Sequence, residues 1–148
     1  MKKRIIVIIS AFVLILIGLY FFVTNNYISK YGNRIVFVAI GSSKVSAELV
    51  VDGKKMERGL GMRNNICSSC GMLFKFQKVG RYTFWMKDMR FPLDIIWILN
   101  NSIVYVEKNV KHDFAGFLVP SENADAVLEL NAGYLDKNNL KVGDIVTF

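Results

Sequence analysis

The chain has 148 residues, 53% of them hydrophobic, and a formal net charge of +7. That length suits one domain rather than two. Lys2, Lys3 and Arg4 carry three of the seven charges and leave +4, and no basic block with interleaved aromatics marks a nucleic-acid binder.

Ile5 to Val23 is uncharged and apolar, directly after the Lys2-Lys3-Arg4 cluster. At about 1.5 Å per residue the run is long enough for a hydrocarbon core of about 30 Å. It exceeds the apolar core of a cleaved signal peptide, and no small-x-small site follows it. The expectation is a signal-anchor over residues 1–23, with the basic N-terminus in the cytoplasm. The polar residues 24–34 read as a tether, and residues 35–148 as an extracytoplasmic domain.

Short strand-like runs follow. IVFVAI (35–40) and VSAELVV (45–51) are β-branched and apolar, and Asp52-Gly53 breaks the second. Met56, Leu60 and Met62 recur at roughly helical spacing, which predicts one or two helical turns within 54–64. GMLFKF (71–76) and RYTFWM (81–86) flank a turn at 77–80, which predicts a hairpin. Pro92 cannot donate to a ladder, so DMRFP reads as a connector. LDIIWIL (93–99) and SIVYVEKNV (102–110) flank Asn100-Asn101, a second hairpin. A long loop over 111–125 precedes AVLELN (126–131), a short helix in AGYLDKNNL, and a closing strand in VGDIVTF (142–148). The fold class expected is α+β: a compact, mostly antiparallel, barrel-like sheet with one or two short helices.

Five pieces occur in order: RGLGMR (58–63), GMLFKF, RYTFWMKDMRFPLDIIWI (81–98), VLELNAGY (127–134) and LKVGDIV (140–146). Together they resemble the family catalogued as domain of unknown function 192, also called uncharacterised protein family 0127, over roughly 36–148. The resemblance implies a β-rich domain, often exported or membrane-anchored, and no established activity. Asp88-Met89 stands where the family pattern usually has Asn-Thr, and the CSSC before GMLF is not part of that pattern.

Six side chains are candidates for ligand binding: Arg58, Arg63, Lys87, Asp94, Glu129 and Asn131. Arginine suits bidentate contacts to carboxylate or phosphate, and Phe84, Trp85 and Trp97 offer aromatic walls. The competing reading is structural, with a pair such as Arg58 and Asp94 or Glu129 forming a buried ion pair. Cys67 and Cys70 are close enough in sequence to form a disulfide, as extracytoplasmic cysteines do. His112 is the only histidine and sits in the long loop, so no metal site or cofactor is indicated.

No serine elbow, phosphate loop or helical zinc motif is present. The leading expectation is therefore a membrane-anchored domain that binds a small polar or anionic ligand, or an envelope protein, without transforming it. One alternative is a small acid–base hydrolase or lyase using Asp94 and Glu129 with Arg58 or Lys87. Another is a redox or copper-handling protein built on the Cys67/Cys70 pair and nearby Met62, Met72, Met86 and Met89.

Overall fold

The computed structural model describes residues 12–19 and 27–148. The chain divides into two units, 1–34 and 35–148. In the first, residues 12–19 form helix α1 and are exposed. The rest of the apolar run 5–23 lies outside the described residues, as do residues 24–26 of the tether. Among the described residues, no helix is long and apolar enough to cross a membrane. The remainder of the tether folds as a tight turn, in which Ser29 N–H donates to Asn33 O at 2.8 Å.

The second unit is built on β1 (Arg34–Ile40), β2 (Ser43–Val50), β3 (Cys70–Gly80), β5 (Leu93–Leu99), β6 (Ser102–Val110), β8 (Ala124–Asn131) and β9 (Val146–Thr147). They make one sheet in the order β6-β5-β8-β3-β2-β1-β9. The edges β6 and β9 approach each other at one end, where Ser102 bridges to Ile145. Val146 N–H also donates to Asn101 O at 2.8 Å. The sheet is thus a half-barrel, α+β in class, as the strand pattern implied. Asn100 and Asn101 turn β5 into β6 with φ of 49° and 62°, the left-handed pair that a two-residue hairpin requires.

Two expectations about pairing are corrected. β3 runs on through Gly80, and 81–86 does not return along it. Its two sides are taken by β2, which is parallel, and β8, which is antiparallel. Over Gly71–Phe74 both sides of β3 are therefore taken, and no edge is left there for a hairpin partner. Instead β4 (Phe84–Trp85) pairs with β7 (Phe117–Leu118), a strand inside the expected long loop. The closing strand shortens to β9, because only Val146 and Thr147 face a partner on β1.

The parallel β2–β3 pair needs a crossover, and residues 51–69 supply it. It begins with α2 (Gly53–Arg58), which Asp52 caps by accepting from Lys54 N and Lys55 N. A second short helix, α3 (Tyr134–Lys137), follows β8.

Alternation along the strands sorts the core into two layers. One takes Val38, Ile40, Val45, Leu73, Ile96, Ile103, Leu128, Leu130 and Val146, drawn from the centre and both edges of the sheet, so it fills the inside of the half-barrel. The other takes Val50, Met72, Phe74, Ile95, Trp97 and Val127 from the central strands, with Leu60, Met86, Met89 and Leu118 packed over them. A fully buried side chain of this size contributes about 1.5–3 kcal/mol. The crossover and the 84–91 connector therefore form the roof of the outer face, and the candidate site lies under that roof.

Candidate functional site

Strand register sets the floor of the site. Glu48, Met72, Glu129 and Ile95 are successive cross-strand partners on β2, β3, β8 and β5. The next row is Val50, Phe74, Val127 and Trp97. Two carboxyls therefore sit on one largely apolar face, with Met72 between them. Each is treated differently by the crossover above.

Glu48 receives Arg63, whose Nη1 and Nη2 donate to Oε1 and Oε2 at 2.6 and 3.0 Å. Both residues are buried, and the fork matches the carboxylate with two parallel bonds. Arg63 is thus committed to an internal ion pair, which corrects its assignment as a ligand-binding residue.

Glu129 is 4% exposed. The backbone N–H of Leu60 lies near its carboxyl, and its Oε2 is buried with no hydrogen-bond partner. Burial pushes its pKa from 4.5 up to about 8, against the downward pull of the Arg63 charge and the Leu60 N–H. Gly59 carries the chain past this carboxyl with a φ of 51°, a conformation that suits glycine, and a Cβ there would make ordinary contact at 3.5 Å with Glu129 Oε2 and the Phe74 ring. Gly61 lets the roof seat closely, since a Cβ would come within 2.9 Å of Arg58 O and 3.2 Å of Lys87 O.

Beside Glu129 a cavity of about 370 Å³ opens between the floor and the roof. Its walls are mainly aromatic: Phe74, Phe76, Tyr82, Phe84, Trp85 and Phe117. Phe84 sets its edge against Phe74 at 5.1 Å between centroids, and Trp85 leans on Phe117 at 6.1 Å. The small β4–β7 sheet therefore supplies one wall, with Trp85 and Phe117 partly open to solvent. Glu57, Arg58 and Lys87 line the cavity as exposed charged groups. Lys87 Nζ rests 5.8 Å from the centre of the Trp85 ring.

The six candidates are thus divided. Arg58, Lys87 and Glu129 share the cavity. Asp94 is fully buried on the opposite face, since its cross-strand partner is Leu130 while Glu129 faces Ile95. Its Oδ1 accepts Asn109 N–H at 2.8 Å and its Oδ2 accepts Leu135 N–H at 2.9 Å. Asp94 therefore pins α3 and the end of β6, and it cannot share a substrate with Glu129, so the acid–base pairing is corrected. Asn131 donates to Cys67 O at 2.8 Å and lines a separate groove with Ser68, Tyr134 and Lys137. It too lies outside the aromatic cavity.

Cys67 and Cys70 are joined as a disulfide ahead of β3. Cys70 N–H donates to Cys67 O, so the pair closes a turn rather than opening a helix. That geometry lacks the helix N-terminus that activates a redox CxxC. Met72, Met86 and Met89 are core residues and Met62 is exposed, so the copper alternative has no thiolate–thioether set to rest on. Trp97 is core as well, with Nε1 donating to Tyr82 O at 2.8 Å.

A family model described as an uncharacterized ACR, DUF192, matches residues 36–148. The chain belongs to the DUF192 family. No protein of curated function matches it. Among crystal structures, the DUF192 domain is similar to a protein of unknown function from Novosphingobium aromaticivorans, with a TM-score of 0.78 and 27% identity. That match covers 82% of this chain and 91% of the other. It is also similar to a protein from Sinorhizobium meliloti named as a candidate transcription regulator, with a TM-score of 0.74 and 28% identity over 78% and 94% of the two chains.

Several residues of this DUF192 cavity escaped the sequence reading. Glu57, Gly59, Tyr82 and Phe117 line it and were not singled out as candidates. Glu129 carried a usable signal, a lone charge inside the buried run VLELN. Phe117 carried none, because β7 is two residues long and is defined only by its pairing with β4.

Proposed function

We propose that this DUF192 domain is a binding module for a small ligand with an apolar, ring-shaped body and one polar group. The observation that carries the reading is the buried, unpartnered Oε2 of Glu129 beside an aromatic-walled cavity. A buried polar atom normally has a partner, and one that lacks it beside a cavity is a ready attachment point. A volume of about 370 Å³ suits a one- or two-ring molecule. The anionic-ligand expectation changes accordingly: Arg63 is taken by Glu48, and the cationic groups of the cavity are Arg58 and Lys87 at its exposed margin.

We further propose that the module is held at a membrane by residues 5–23 and faces an oxidising compartment. The uncharged run after Lys2, Lys3 and Arg4 supports the first part. The Cys67–Cys70 disulfide supports the second.

The test is a melting-temperature screen of the full-length chain against ring-containing small molecules. A native-state binder raises the melting temperature by mass action. Thr83 lines the cavity from an exposed position, so Thr83→Trp should fill it and abolish that rise. An equal rise in the variant, or no rise with any ring compound, rejects the binding reading.

A further inference from the structure

The reading above leaves open what chemical group meets Glu129. Its side chain lines the cavity, and its Oε2 is buried with no hydrogen-bond partner. A neutral carboxyl in that position is a donor in need of an acceptor.

The surroundings favour that neutral acid. From β3 the floor presents Met72 and Phe74, and from β5 Ile95 and Trp97, none of them charged. From β2 comes Glu48, and from the crossover Arg63, already joined to each other as an ion pair. α2 adds Glu57 and Arg58 and the 84–91 connector adds Lys87, all three exposed. Among the described residues no cation forms an ion pair with Glu129 to keep it ionised, and burial raises its pKa to about 8. An organic cation would need the carboxylate form, and would also meet Arg58 and Lys87 on the way in.

We infer that the cavity selects a ring compound bearing a hydrogen-bond-accepting oxygen, such as a carbonyl, which receives the Glu129 hydroxyl while the aromatic walls hold the ring. The inference rests on the binding reading above and goes further by fixing the polarity of the contact. It also makes binding proton-linked, since the donor is lost when Glu129 ionises.

Three probes of similar size separate the possibilities: acetophenone, toluene and benzylammonium. Their affinities for the full-length chain are measured by ligand-observed NMR titration at about pH 6.5 and about pH 9.5, either side of the Glu129 transition. Acetophenone should bind about tenfold more tightly than the other two at the lower pH and lose most of that advantage at the higher. Glu129→Gln, whose amide still donates, should keep the preference for acetophenone and remove its pH dependence. Glu129→Leu should reduce acetophenone to the level of toluene. A preference for benzylammonium that grows with pH overturns the inference. Equal binding of all three overturns it too, while leaving the cavity reading intact. Binding of none rejects both.

Discussion

Asp94 on β5 and Glu129 on β8 lie one ladder step apart, yet their side chains leave opposite faces of the sheet. Asp94 enters the inner layer, where both oxygens take backbone N–H groups from Asn109 and Leu135. Glu129 enters the outer layer, where it lines a cavity and its Oε2 has no hydrogen-bond partner. The inner layer is sealed by strands from the whole sheet, so a carboxyl there must be satisfied from within. The outer layer is roofed by the crossover and the 84–91 connector, which leave space and one open hydrogen-bonding position. The contrast shows how one strand pair can carry both a structural clasp and a candidate binding group. Burial is common to the two; what separates them is which backbone donors come within reach.

The largest expected effect tests the clasp. Asp94→Ala removes two charge-assisted hydrogen bonds and strands two N–H groups, which should destabilise the fold by about 3–6 kcal/mol in denaturant unfolding. A loss below about 1 kcal/mol would mean that α3 is held by packing alone and that the contrast with Glu129 is mistaken.

Next in size is the ion pair that shields the outer layer. Arg63→Met leaves Glu48 buried without its bidentate partner and should cost about 3–5 kcal/mol. Adding Glu48→Gln should restore much of the loss, because the stranded charge is gone. If the double variant is as unstable as the single, the guanidinium acts mainly through packing.

Glu129 itself should give the gentlest signal, spread over pH. Its folded pKa, about 8, lies above its ordinary value of 4.5, so between them the folded chain holds a proton that the unfolded chain releases. Stability should therefore fall as pH rises through that window, by up to about 1.4 kcal/mol per unit from this one group. Glu129→Gln should flatten this part of the curve while keeping an acceptor for Leu60 N–H. Unfolding midpoints at several pH values decide the matter. A slope that is the same in wild type and variant would show that Glu129 is not held neutral.

Much of the fold was legible because local chemistry leaves marks. Asn100-Asn101 announced its hairpin through the left-handed conformations that asparagine tolerates. Asp52-Gly53 announced a break, and the structure uses Asp52 as the cap of α2. The run RYTFWM misled because it has the composition of a strand but no partner beside β3, where β2 and β8 already occupy both sides. Of the six charged and polar residues that the sequence marks as candidates, the structure gathers Arg58, Lys87 and Glu129 around one cavity. Arg63, Asp94 and Asn131 have equal standing in the sequence and lie elsewhere.

The sequence by itself determined the strand-rich class, the Asn100-Asn101 turn, the family and the list of charged residues standing in apolar runs. Each is a local property, set by side-chain alternation, by backbone preference or by the order of motifs. Only the tertiary structure decided which carboxyl is clasped, which is paired and which is open. Those outcomes depend on register, and a one-residue step between β5 and β8 sends Asp94 inward and Glu129 to the cavity. They depend also on the crossover, which brings Leu60 and Arg63 over the floor from a distant part of the chain.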